Sequence, residues 1–178
     1  MSSPLLKSRT LAELKRAECQ FDERLSFAKL PRLASLHLGD AEDQIIVTAS
    51  LATNREPGGS HWPEFAAQVR CDIALECQRC MQAFSYELDT QFSVSLRRES
   101  ATASPDPQDE VWEIGDERLR LTDVIEEYVL LALPLAPKHK SNCLDAVVNE
   151  VEEPETVAAD TQQPFADLKA MLSGQDKN

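Results

Sequence analysis

At 178 residues and a formal charge of −13, the chain is long enough to bury about 68–70% of its unfolded surface without disulfide staples, and too acidic for generic adhesion to nucleic acid, which needs Lys and Arg to displace phosphate counterions. Its five scattered cysteines, an odd number, and a start without a continuous apolar run predict a cytoplasmic protein with reduced thiols. No stretch approaches the roughly 20 apolar residues of a membrane span, Tyr128 to Ala136 being interrupted by Pro134, so no membrane role is expected.

Thr10-Leu-Ala-Glu13 is a capping box and predicts a short helix over 10–18 with Leu11 and Leu14 buried. Arg24 to Phe27 reads as extended, and Ala28 to His37, with Leu30, Leu33 and Leu36 spaced at three, as a helical turn or two ended by Gly39-Asp40. Gln44 to Thr53 predicts a strand with Ile45, Val47, Ala49 and Leu51 on one face, and Asn54 to Pro63 a loop. Phe65 to Glu76 alternates cleanly, as do Phe84 to Leu96 after it, which predicts two half-buried strands paired as a long hairpin whose tip carries Cys77-x-x-Cys80. Glu99 to Glu110 reads as a mobile loop, and Val111–Ile114 with Arg118–Leu121 as a short strand pair across Gly115-Asp116. A helix over 123–133, capped by Thr122 or Asp123 and ended by Pro134 and Pro137, would cover the sheet. Leu144 to Gln163 reads as an acidic flexible tail, and Pro164 to Leu172 as a short amphipathic helix presenting Phe165, Leu168 and Leu172.

The expected fold class is therefore α+β: a twisted antiparallel sheet able to curl toward a barrel, built on the long hairpin and covered by a helix. Residues 1–143 form one domain in this reading and 144–178 the tail. Net charge is divided, +3 over residues 1–39, −4 over 40–98 and −12 over 99–178, so the two ends suit different partners or simply keep the protein soluble.

A C-x-x-C at a hairpin tip is half of a zinc knuckle, because that spacing lets two thiolates meet one tetrahedral ion while the turn's amides face the sulfurs. His139-x-x-x-Cys143, just after the terminated helix, offers a second half, for a set of Cys77, Cys80, His139 and Cys143. Ordinary core and surface cysteines remain the bland alternative. A redox dithiol is another, although a thioredoxin-like C-x-x-C opens a helix rather than joining two strands. Cys71 continues the apolar face between Val69 and Ile73 and reads as a core thiol. His37 and His61 have no triad partners in sequence, and no Gly-rich loop could cradle a phosphate, so neither a catalytic seat nor a small-molecule substrate is evident. Arg79, Lys138 and Lys140 gather near the cysteines as candidate contacts to RNA or an acidic partner.

Leu75-Glu-Cys-Gln-Arg-Cys80 with Phe84, then Leu131-Ala-Leu-Pro134 with Pro137 and His139 to Cys143, and finally Pro164-Phe-x-x-Leu168 resemble, in order and spacing, the YceD family, named for large ribosomal RNA subunit accumulation. The resemblance implies a bacterial cytoplasmic protein supporting synthesis, processing or stability of 23S ribosomal RNA. It also implies a four-cysteine zinc set, which here maps onto Cys77, Cys80, His139 and Cys143, with His at the third position. On this basis the expected function is a non-enzymatic ribosome biogenesis factor that docks on large-subunit precursors, 23S RNA or a basic ribosomal protein, through Arg79, Lys138 and Lys140 or through Phe165, Leu168 and Leu172, with a structural zinc as candidate cofactor. The competing expectation is a thiol oxidoreductase or zinc-dependent enzyme using Cys77 and Cys80.

Overall fold

The computed structural model describes residues 3–55, 61–98, 110–115 and 118–143, the side chains of residues 54, 55 and 61 excepted. The loop expected over 99–109, the acidic segment from 144 and the helix expected to carry Phe165, Leu168 and Leu172 lie outside the described residues.

One open five-stranded sheet organises the domain, in the order β1 (Cys19–Ser26), β2 (Gln44–Arg55), β3 (His61–Glu76), β4 (Ala83–Arg98) and β5 (Val111–Ile114). The first four strands are antiparallel, and the hairpin register runs from Glu64 opposite Ser95 to Glu76 opposite Ala83. Both long strands keep their period-2 alternation, so Phe65, Val69, Ile73 and Leu88, Val94, Leu96 are buried while Arg70, Asp72, Glu87 and Asp89 are exposed. The other layer is α3 (Leu121–Ala132), preceded by the single turns α1 (Leu11–Leu14) and α2 (Pro31–Ala34). Val124, Ile125 and Val129 of α3 join Leu5, Leu14, Phe27 and Leu33 in the core, each fully buried apolar side chain contributing about 1.5–3 kcal/mol.

Several expectations require correction. The sheet is mixed and unclosed: β5 pairs in parallel with β4, and Leu119 makes an isolated bridge to Arg9 rather than a hairpin across Gly115. Tertiary pairing with a 16-residue strand outweighs the local turn signal there. The first strand begins at Cys19, well before Arg24, because β2 supplies a partner along its whole length. Strands β2 and β3 extend to Arg55 and from His61, which shortens the expected loop. The capping box survives as expected, Thr10 and Glu13 satisfying each other's amides, but its helix is one turn long. Helix α3 starts at Leu121 after Arg120, so Thr122 lies buried within it and caps nothing.

Two buried polar groups lock the helical segments. Glu126 Oε1 accepts the amides of Arg32 at 2.7 Å and Leu33 at 3.0 Å, doing for α2 what its own N-cap Leu30 cannot. His37 Nδ1 accepts the Ala74 amide at 3.1 Å, which fixes the proton on Nε2 facing Asp43 Oδ2 at 3.0 Å, and its ring stacks on Phe27.

A candidate metal centre at the hairpin tip

Between Glu76 and Ala83 the chain turns as a knuckle: the Cys77 amide donates to Gln82 O at 2.9 Å and the Met81 amide to Cys77 O at 2.8 Å. Met81 closes the turn with a positive φ of 58°. Helix α3 ends at Ala132, Leu133 is extended, and the chain then passes Pro134 and Pro137 to lie beside the knuckle. There the Gln78 amide donates to Pro137 O at 2.8 Å, and Arg79 Nη2 donates to the carbonyl oxygens of His139 and Ser141, each at 2.8 Å.

This docking brings together four donors separated by up to 66 residues. Cys77 Sγ stands 3.7 Å from Cys143 Sγ, Cys80 Sγ is 3.5 Å from His139 Nδ1, and all four ligand atoms lie within 4.8 Å of one another. A tetrahedral zinc with bonds of about 2.3 Å to sulfur and 2.0–2.1 Å to nitrogen would set sulfur–sulfur edges of about 3.8 Å and sulfur–nitrogen edges of about 3.5 Å. The two short edges have these lengths, and the cluster could hold a metal ion. Phe84 backs the His139 ring at 4.9 Å between centroids.

The electrostatics suit a cation. Burial opposes ionisation of Cys77 and is the largest single influence, yet the amides of Cys80, Arg79 and His139, helped by the His139 side chain, together bring its pKa down to about 5. Burial, the neighbouring Cys80 and Cys77 sulfurs and the Cys77 charge push Cys143 up to about 11. One thiolate thus sits beside groups that a dication would deprotonate. Cys71, by contrast, is buried in the sheet with its pKa raised to about 11, the behaviour of a core thiol.

Of the basic residues singled out in the sequence, Arg79 is engaged with two backbone carbonyls, while Lys138 and Lys140 are exposed and make no ion pair among the described residues. In the N-terminal segment Lys15 Nζ stands 4.1 Å from the Trp62 ring centre and Arg9 lies 6.0 Å from that of Phe21. Glu76 is exposed, in the opposite phase to buried Cys77. What sequence reasoning missed is Arg79's role as a brace: the residue inside C-x-x-C was visible, but its acceptors are carbonyls some 60 positions away.

The family described as large ribosomal RNA subunit accumulation protein YceD matches residues 65–172, more than half of the chain and including every donor of the cluster. The chain belongs to the YceD family. Among curated YceD proteins, that of Haemophilus influenzae is 30% identical over 90 residues, which cover 47% of this chain and 49% of the relative, so the chain spans about half the length of that relative. No solved structure matches. Among the described residues, no helix is long and apolar enough to cross a membrane.

Proposed function

We propose that this YceD-family protein is a non-enzymatic, cytoplasmic ribosome biogenesis factor that supports synthesis, processing or stability of 23S ribosomal RNA. It acts by docking on large-subunit precursor particles or by holding a basic ribosomal protein. Family membership carries this reading, and a strongly acidic chain favours protein contacts over generic RNA adhesion. Lys138 and Lys140, exposed beside the knuckle and without an ion pair among the described residues, are the cations this reading assigns to RNA, with Arg79 holding the loop that presents them. Residues 1–143 serve as the folded domain, and 144–178 as an acidic segment whose Phe165, Leu168 and Leu172 dock on a partner.

In this reading Cys77, Cys80, His139 and Cys143 hold a structural zinc. The fit of the two short donor edges supports it, and a four-donor set leaves no open position for a substrate. The same point weighs against zinc-dependent catalysis by Cys77 and Cys80. The test is sedimentation of extracts from growing cells: the protein should migrate with large-subunit precursors, and its depletion should lower 23S RNA relative to small-subunit RNA. Sedimentation wholly at the top of the gradient, with unchanged 23S RNA on depletion, would contradict the proposal.

A further inference from the structure

The four donors at the hairpin tip meet as two pairs. Cys77 Sγ stands 3.7 Å from Cys143 Sγ, and Cys80 Sγ stands 3.5 Å from His139 Nδ1, so each pair joins the knuckle to the helix exit. Groups outside the donor set hold the two sides together. The Gln78 amide donates to Pro137 O, and Arg79 Nη2 donates to the carbonyl oxygens of His139 and Ser141, each at 2.8 Å, which keeps Cys143 beside Cys77 whether or not a metal is bound. The sulfurs differ in access: Cys77 is fully buried, whereas Cys80 and Cys143 are half-buried.

We infer that Cys77 and Cys143 form an oxidative modification site, a reversible disulfide that takes the place of a bound metal as the clasp between hairpin tip and helix exit. The oxidant is hydrogen peroxide or another peroxide. One sulfur attacks the O–O bond and becomes a sulfenic acid as the first water leaves; the other sulfur then attacks that sulfenyl sulfur and displaces the second water. Two thiols and one peroxide thus give one S–S bond and two waters, the sulfurs losing the two electrons that the peroxide gains. Closing 3.7 Å to the bond length of about 2.05 Å needs a combined movement of about 1.7 Å. A resolving thiol held this near outcompetes further oxidation to the irreversible sulfinic acid, and burial of Cys77 shields it from a second peroxide. The bond consumes two of the four donors, so disulfide and tetrahedral metal exclude each other. In the folded protein Cys71, buried in the sheet, and Cys19, at the start of β1, stay reduced. The inference rests on the structural-zinc reading only in what it says of the metal.

The test treats the full chain, metal-free and zinc-loaded, with hydrogen peroxide and maps its disulfides by non-reducing tryptic digestion and mass spectrometry. Cleavage after Arg79 separates the two knuckle cysteines, and fragment ions distinguish Cys77 from Cys71 on the same peptide. The expected product is a Cys77–Cys143 link that dithiothreitol reverses, and the zinc-loaded chain should release its zinc to a chromogenic chelator as the link forms. Cys80→Ser, which removes a donor but neither partner, should form the same link; Cys143→Ser should not. The oxidised metal-free chain should melt at least about 5 °C above the reduced metal-free chain, because the bond closes a loop spanning 66 positions. A Cys77–Cys80 link, a sulfinic acid without any link, or no reaction would overturn the inference, and an unchanged melting temperature would overturn the part that makes the bond a clasp. Zinc binding separates the two readings: a chain that forms the link but binds no zinc keeps the modification site and loses the structural zinc, and one that binds zinc but links Cys77 to Cys80 keeps the zinc and loses the site.

Discussion

Arg79 Nη2 donates to the carbonyl oxygens of both His139 and Ser141 at 2.8 Å, so one guanidinium holds two points of the loop that carries half of the donor set. A lysine could satisfy one acceptor with the right reach but not both in a fixed plane. Arg79→Lys should therefore lower zinc affinity by about 10–100-fold, the usual effect of losing a group that orients ligands. Competition with a chromogenic chelator reads this directly. An affinity equal to wild type would show that the knuckle positions its ligands without the brace.

The perturbed thiols predict an unusual pH profile for metal-free protein. Cys77 has its folded pKa lowered from 9.0 to about 5, so its ionisation stabilises the fold fully above the unfolded value, and that contribution is lost as pH falls from about 9 to about 5. Cys143 is raised from 9.0 to about 11, so above pH 9 the unfolded chain ionises more readily and stability falls again. Metal-free protein should show a melting temperature that climbs toward pH 9 and then declines, and Cys77→Ala should flatten the rising limb. Zinc should raise the melting temperature most where its ligands are least protonated. A profile identical in wild type and Cys77→Ala would remove the thiolate from the account.

Glu126 is 5% exposed and caps α2 through two backbone amides, so its removal leaves the buried Leu33 amide and the half-buried Arg32 amide without their acceptor. Hydrogen bonds to a charged group contribute about 1.5–3 kcal/mol each, and loss of an N-cap alone costs about 1 kcal/mol. Glu126→Ala should destabilise by about 2–4 kcal/mol in chemical denaturation, while Glu126→Gln, which keeps an acceptor oxygen, should cost no more than about half of that. Comparable losses for the two variants would mean that the charge, rather than the acceptor, does the capping.

The parts legible in the sequence are those whose signal is local. Alternation in Phe65–Glu76 and Phe84–Leu96 marks the hairpin, and the Thr10/Glu13 box marks α1, because period and capping are encoded within a few residues. The strand from Cys19 escaped notice since only Phe21 and Leu25 of its residues are buried, a spacing of four that mimics a helix. The parallel β5, the Glu126 cap and the Arg79 brace depend on partners 16 to 94 positions away, and nothing local marks them. The donor set lay between these extremes: each half has a recognisable spacing, but only the docking of the helix exit on the knuckle joins them.

Gly39 and His37 supply a last prediction, one of coupling. A Cβ at residue 39 would stand 2.5 Å from His37 Nε2 and 2.8 Å from Asp43 Oδ2, closer than real contacts permit. Gly39→Ala must displace the imidazole, which is buried against Phe27 and bonded to both Ala74 and Asp43. Overpacking of this kind costs about 1–3 kcal/mol. If the clash with the imidazole is the whole mechanism, the same substitution in a His37→Ala background should cost much less, giving a coupling energy within about 0.5–3 kcal/mol in a double-mutant cycle. Strict additivity, measured by denaturant unfolding of the four proteins, would place the cost of Gly39→Ala in the backbone and relieve His37 of any part in it.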